Sequence, residues 1–461
     1  MKYLLAALVS LSTGLAQWEP QQWLTSSNSR KYTSSFDARC IAGHGDTVHV
    51  VWYDICLVLP FDSSVVCYRR SLDGGLSWEP QVVLTRDTAV QTQPAIGCAS
   101  SSLHVVWESH GGNLAGICHV RSTDAGATWA SISCLAGDSP HTCNPALAVD
   151  DSVVHVAWED LRHGPRQIYY RRSTDAGRSW ESEVRFSSAH DSSHGVTLGV
   201  EGRLVVAVWY SFDSEQVCLT RRVSLDRGAS WDGESTIQQP DRSTYNPTLA
   251  VSGGYVHLAW SGYRRGDLDR EIYYLRSTDS GSTWDCGVVL TNDTAVSGAP
   301  SIAASGENVH LLWNDNRIGW SVIHYVRSID AGVTWSTDSA VSSLDCHSYG
   351  PSVTTIGGRV HAVWYSKPLE IRNIVHRRNP TGNLVGVGEA RESVRDGPGL
   401  LCTTVTGCLV VADSCGVALL DVTGRKTLAL LPGSNDVSRL APGVYFIHDG
   451  SRHVRRVIVL K

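Results

Sequence analysis

The sequence predicts an all-β fold, a seven-bladed β-propeller followed by a small C-terminal β-sandwich domain, and three observations carry that prediction. An octapeptide of the pattern S-x-D-x-G-x-[ST]-W occurs six times, beginning at Ser71, Ser122, Ser173, Ser224, Ser277 and Ser328. Its closing tryptophans at 78, 129, 180, 231, 284 and 335 stand 51, 51, 51, 53 and 51 residues apart. In step with it, an apolar run ending in tryptophan appears seven times, closing at Trp52, Trp107, Trp158, Trp209, Trp260, Trp313 and Trp364. A fixed period of this length marks a repeat architecture. Each period also reads as short β-rich runs between turn residues, with no segment of helical periodicity.

One period shows the elements in order. In the third, strand A is Pro145–Val149 and strand B is Val153–Trp158. Strand C is Ile168–Arg172, running into the octapeptide at Ser173, and strand D opens at Trp180 and ends near Phe186. Four antiparallel strands per repeat make a propeller blade. Strands A to C occur seven times, but the seventh set ends in Asn379-Pro380-Thr381-Gly382-Asn383 with no octapeptide. The missing strand lies at the other end of the chain. Residues 18–25, WEPQQWLT, match residues 78–85, WEPQVVLT, at six of eight positions. The N-terminal segment is therefore expected to supply strand D of the last blade, closing the ring and removing an exposed sheet edge.

Within the octapeptide, each residue type has a local task. The aspartates, Asp73, Asp124, Asp175, Asp226, Asp279 and Asp330, can accept backbone N–H bonds inside the turn, aided by the serine. Glycine supplies a positive φ, and tryptophan buries a large surface beneath the turn. Six copies spread around a ring cannot converge on one substrate, so these aspartates read as structural.

The octapeptide resembles the Asp box, or bacterial neuraminidase repeat, of sialidase-like β-propellers, over about residues 17–383. That resemblance implies the propeller fold; sialidases, other glycosidases and non-catalytic propellers all carry the motif. Typical sialidases have six blades, one fewer than this chain.

The ends and the composition set further expectations. Residues 1–16 read as a secretory signal: Lys2, an apolar run, then small residues ending at Ala16. No other stretch is long and apolar enough to span a bilayer, so a secreted or cell-surface location is expected. Residues 384–398 read as a linker and 399–461 as a separate β domain. Its D-V-T-G-R-K and L-A-P-G-V-Y-F elements resemble the C-terminal sorting domains of the type IX secretion system, which implies outer-membrane secretion machinery as a partner. An ordinary immunoglobulin-like accessory domain is the alternative. A net charge of −6 offers no footprint for nucleic acid. Thirteen cysteines permit disulfides, with Cys134–Cys143 and Cys56–Cys67 as the preferred pairs and Cys402, Cys408 and Cys415 as a source of a third. Their spacing does not suggest a metal, and no cofactor is implied.

Histidines at 49, 104, 155, 257, 310 and 361 each precede a strand-B tryptophan by three positions. One per blade, they cannot meet around a metal and read as packing residues. Chemistry is expected instead on the face opposite the octapeptides, where the B–C and D–A loops emerge. The candidate ligand-binding residues there are Asp54, Glu159, Asp160, Arg162, Arg264, Asp315, Arg317 and Trp320 from B–C loops, with Tyr245 and Tyr349 from D–A loops. Glu108, Arg166 and Arg372 lie in the same loops. Arg162, Arg264 and Arg317 each follow a strand-B tryptophan by four positions. The resemblance implies that three arginines could grip an acidic sugar's carboxylate, since the guanidinium fork matches it. The competing reading pins two of them in their own loops through Asp160 and Asp315.

Sialidases also use a tyrosine activated by a glutamate, and no glutamate can be assigned to Tyr245 or Tyr349 from spacing. The family's first arginine lies in an R-I-P element, where this chain has Arg39 without the proline. The expected function is therefore a propeller that binds a glycan or an extracellular protein without turnover. The alternative is a glycoside hydrolase of sialidase type that releases terminal acidic sugars.

Overall fold

The computed structural model describes residues 18–380 apart from 27–28, 35–38, 56–62, 86–88, 112–114, 137–141, 189–191, 214–215, 238–243, 264–268, 293–294 and 369–370, together with the strands of a second unit between 402 and 460. The expected signal segment 1–16 and the linker 384–398 lie outside the described residues.

Seven antiparallel sheets form the propeller. Blade 3 is representative: strand A is Thr142–Asp150, B is Val153–Asp160, C is Gln167–Ser173 and D is Val184–Arg185. Strand D pairs over fewer residues than its sequence suggests. Its ends are nonetheless tied to strand C, by Glu181 N–H to the Arg172 carbonyl and Phe186 N–H to the Ile168 carbonyl. Blade 7 contains Gln22–Trp23 as its outermost strand, in register with His376 and Val375. Glu19 N–H donates to the Arg378 carbonyl at 2.9 Å, and Arg378 Nη2 to Glu19 Oε1 at 2.8 Å. The N-terminal segment thus closes the ring.

In blade 1 the strand-A position is divided into Arg30–Tyr32 and Ile41–His44, both paired with Thr47–Ile55. The second compact unit contains a five-stranded and a two-stranded sheet, with Cys402–Thr406 parallel to Val454–Leu460. The Cys134–Cys143 bridge is not formed: Cys143 carries a thiol to which Arg166 Nη1 donates at 2.7 Å. The polar partners on Glu159 and Arg166 hold that side chain inside its own blade. Cys56 lies outside the described residues.

The core is a stack of strand-B residues between sheets. The seven strand-B tryptophans are almost fully buried, flanked by valine, leucine and isoleucine from strands A and C. The octapeptide geometry repeats closely. In blade 2, Asp124 Oδ1 accepts from Thr128 N–H at 2.9 Å and from the Ser122 hydroxyl at 2.7 Å, while Gly126 N–H donates to Ser122 Oγ. The Thr128 hydroxyl, which donates to Oδ2 at 2.6 Å, together with Thr128 N–H and the Ser122 hydroxyl, holds the Asp124 carboxyl down at about 2.

The octapeptide does more than turn the chain, because each one docks on the preceding blade. Gly126 has φ +78°, and a Cβ there would overlap the Tyr68 hydroxyl of blade 1. Trp129 packs edge-on against the same tyrosine at 4.9 Å between centroids. Arg70 of blade 1 donates to the Ala125 carbonyl at 2.8 Å. The strand-B histidines complete this contact. His49, His155, His257 and His310 hydrogen-bond Tyr68, Tyr170, Tyr274 and Tyr325 at 2.7–2.8 Å. His104 and His361 meet His119 and His376 at 3.1 Å.

Two predictions follow from this clasp. Gly126→Ala forces both a positive φ and an overlap with Tyr68, and is expected to cost about 2–3 kcal/mol in urea unfolding. Burial holds His49, His155 and His361 down at about 3, and His104 and His257 at about 4. Each is neutral when folded and takes up a proton near its ordinary value when unfolded. Their contribution to stability is therefore complete above about pH 6.5 and is lost as pH falls toward 3. Unfolding free energies measured between pH 7 and 4 should decline, and His155→Gln should reduce the slope by up to one proton.

Candidate functional site

The face carrying the B–C and D–A loops is built by a repeated β-bulge. Strand A shifts register in blades 2 to 7 at the same place, as between Cys143 and Ala146 or Tyr349 and Ser352. The bulged residues Gln93, Asn144, Gly195, Asn246, Ala299 and Gly350 have φ between +47° and +60°. A bulge turns a strand and re-aims its polar groups, and here it presents backbone N–H groups to the adjacent blade. In blades 2, 3 and 6 the residue after the strand-B tryptophan receives them. Glu159 Oε1 accepts from Gly195 N–H at 2.8 Å and from Asn144 Nδ2 at 2.9 Å. Glu108 Oε1 accepts from Asn144 N–H at 3.4 Å, and Asn314 Oδ1 from Gly350 N–H at 3.2 Å.

Glu159 is a heavily bonded acid on this face. It is fully buried, and Arg166 Nη1 and His194 Nδ1 lie 2.9 and 3.4 Å from Oε2. Burial alone would raise its carboxyl, but hydrogen bonds from His194, Gly195, Arg166 and Asn144 outweigh this and hold it below its usual value. An ionised carboxylate with every lone pair engaged is a fixed anchor and a poor proton donor. The neighbouring Cys143 thiol is pushed up by burial and by Glu159.

The sequence-selected arginines turn away from the axis. Arg162 donates to Asp160 Oδ2 at 2.6 Å and to Glu183 Oε1 at 2.5 Å. Arg317 donates to both oxygens of Asp315 and, at 2.7 Å, to Asp338 Oδ2. Glu183 and Asp338 flank the outermost strands of blades 3 and 6, so the two guanidinium groups do not converge. Asp315 is held at about 2: burial opposes its ionisation, and Arg317 prevails. Arg264 lies outside the described residues. Trp320 is 40% exposed and donates to the Leu344 carbonyl at 2.9 Å. Asp54 faces the buried Lys31, with Nζ at 3.8 Å.

Aromatic residues cluster at two places on this face. Across blades 7 and 1, Tyr32 stacks on Tyr53 at 5.1 Å and meets Tyr365 edge-on, and Tyr365 contacts Tyr349. Arg372 lies over Tyr32 at 4.4 Å and over Tyr365 at 5.9 Å. Across blades 4 and 5, Tyr210, Tyr245 and Tyr263 pack edge-to-face, with Arg270 over Tyr245 and Tyr263 at 5.9 and 5.7 Å. Neither Arg270 nor Arg372 has a carboxylate within salt-bridge distance among the described residues. Arg372 is lowered by burial and then by the nearby Arg30. Tyr349 shares a hydrogen bond with His347 Nδ1 at 2.9 Å, and burial raises its hydroxyl. The sequence offered no signal for Arg270, because its tyrosine neighbours come from different strands.

On the axis, strand-A residues from all seven blades line a cavity of about 170 Å³. Arg39 occupies the position held by proline in most other blades, and its Nη2 crosses to the Leu249 carbonyl of blade 5 at 2.5 Å. Among the described residues no group of three or more histidine, cysteine or acidic side chains could hold a metal ion.

Fold and face together define a seven-bladed propeller of the sialidase-like, Asp-box class. The chain belongs to the BNR repeat-like domain family, whose model matches residues 7–258. Among solved structures it is similar to a PL25 polysaccharide lyase, an ulvan lyase bound to a GlcA–Rha3S oligosaccharide, at 14% identity and TM-score 0.55, covering 77% of this chain and 95% of that one. Phage phi92 endosialidase matches at 10% identity and TM-score 0.47, over 90% and 76% of the two chains. Trypanosoma rangeli sialidase in complex with the inhibitor DANA matches at 14% identity and TM-score 0.43, over 75% and 55%. A search of curated protein sequences returns no match.

The ion pairs of Arg162 and Arg317 give a direct expectation. Arg317→Ala leaves Asp315 buried without its main donor and should cost about 3 kcal/mol in denaturant unfolding.

Proposed function

We propose that this chain is an exported glycan-binding propeller whose B–C/D–A face takes an acidic polysaccharide without turning it over. The observation that carries this reading is the pair of arginine-on-tyrosine platforms, Arg372 over Tyr32 and Tyr365, and Arg270 over Tyr245 and Tyr263. Tyrosine faces suit the apolar faces of sugar rings. A guanidinium without a carboxylate partner among the described residues is best satisfied by a carboxylate or sulfate on the ligand. The platforms stand on opposite sides of the ring, an arrangement that favours a polymer lying across the mouth over a single terminal sugar. Secretion directed by residues 1–16, and sorting or attachment through the tail, belong to the same proposal.

The glycosidase alternative rests on Glu108 and Glu159, two buried carboxylates joined through Asn144. Against it stand the saturated hydrogen bonding of Glu159 and the pairing of Tyr349 with His347 instead of a glutamate.

A glycan array should show retention of polyuronates or sulfated polysaccharides over neutral ones. Arg372→Ala and Arg270→Ala should each weaken binding about tenfold, the order expected for losing one charge-assisted contact, with little change in melting temperature. Binding unchanged in both variants would reject the reading. Product formation from a polyuronate or a fluorogenic sialoside, abolished by Glu159→Gln, would establish the enzymatic alternative.

A further inference from the structure

Four blades carry an arginine two residues before the end of strand C: Arg69, Arg171, Arg222 and Arg377. Three of them brace adjacent blades. Nε of Arg69, Arg171 and Arg377 donates to the carbonyls of Glu79, Glu181 and Glu19 at 2.6, 2.8 and 2.5 Å. Their Nη1 groups donate to the carbonyls of Leu24, Leu135 and Val341 on the preceding blade at 2.5, 2.6 and 2.6 Å. Arg222 makes neither bond.

Two local changes release it. In blade 4 the residue after the octapeptide tryptophan is Asp232, whose carboxylate is engaged by Arg221 and by Val223 N–H. Blade 3 also presents Phe186 where the other three seams present leucine or valine. The Arg222 guanidinium lies over the Phe186 ring at 5.0 Å, and its buried Nε has no hydrogen-bond partner among the described residues. A buried guanidinium nitrogen without an acceptor is costly.

Beside it is a pocket of about 260 Å³ lined by Arg185, Phe186, Ser187, Ser188 and Arg222. Arg185 is exposed and spends Nε on the Ser187 carbonyl at 3.1 Å. Glu234 accepts from Ser188 N–H and Oγ, and ion-pairs with neither arginine. Two positive side chains therefore face one pocket without a carboxylate bonded to either among the described residues.

We propose that this pocket, at the outer seam between blades 3 and 4, is a second ligand site that takes a tetrahedral oxyanion. The group is a sulfate or phosphate, arriving as the free ion or as an ester on a larger molecule. Arg222 supplies a half-buried fork and Arg185 an exposed one, which suits a group with several equivalent oxygens. The site is built from the outermost strand of blade 3 and strand C of blade 4, not from the B–C and D–A loops, and does not rest on the reading of the mouth.

Calorimetric titration of the full chain with sodium sulfate, sodium phosphate, and matched sulfated and desulfated oligosaccharides tests it. Sodium chloride at equal ionic strength controls for screening. Saturable binding of sulfate or phosphate is expected, weakened about tenfold by Arg185→Ala and by Arg222→Leu. An ester source gives tighter binding of the sulfated oligosaccharide than of the free ion, and a free-ion source gives the reverse. No saturable binding to any of the four, or binding kept in both variants, overturns the proposal. So does a melting temperature for Arg222→Leu as depressed as that of Arg171→Leu, since Arg222 would then be another brace. Should Arg222→Leu fail to fold, the exposed Arg185→Ala decides alone.

Discussion

The propeller depends on a clasp between successive blades. A glycine of one octapeptide sits against the histidine–tyrosine or histidine–histidine pair of the preceding blade, with the octapeptide tryptophan edge-on to the same ring. Gly126 on Tyr68, Gly228 on Tyr170 and Gly332 on Tyr274 are the clearest cases. A strand-C arginine then ties the turn down from the same side: Arg70 to Ala125, Arg172 to Arg227, Arg276 to Ala331 and Arg378 to Gly74. The last of these crosses from blade 7 to blade 1, so the ring is shut by the same contact that builds it. A solenoid of repeats is stabilised by such nearest-neighbour interfaces, and closing it leaves no unsatisfied end.

That division of labour separates the two faces. The octapeptide face is committed to architecture: its aspartates are saturated by their own turns, and its glycines are filled by the neighbouring blade. The opposite face varies from blade to blade while its backbone remains constant. One bulge geometry recurs in six strands, yet the side chains that meet it are glutamate in blades 2 and 3, tyrosine in blades 4 and 7 and asparagine in blade 6. A fixed frame with variable side chains is how a propeller acquires a binding surface without altering its fold.

Blade 4 is the irregular member. It replaces the strand-B histidine by Val206 and the last strand-C arginine by Val223, and Gly281 of blade 5 packs on these two valines. An apolar contact there substitutes for the polar clasp. The arginine pair of its strand C accordingly stands one position earlier, with Arg221 on Asp232 and Arg222 over Phe186.

The sequence by itself determined the blade count, the four-stranded repeat and the closure by residues near Trp23, because each follows from a period and a matched segment. It also assigned the aspartates of the octapeptide to turns, since their partners lie within four residues. The pairing of Arg162 with Asp160 and of Arg317 with Asp315 was legible for the same reason. Tertiary structure alone decided what lay between blades. The glycine-on-tyrosine clasp joins residues as far apart as Tyr68 and Gly126, the arginine tie spans 55, and the Arg39 bond to Leu249 spans 210. The tyrosine platforms gather residues from Tyr32 to Arg372. Spacing reveals groups that share a turn or a strand. It carries no sign of which side chains meet when a sheet twists against its neighbour, and both the platforms and the released Arg222 arise at such meetings.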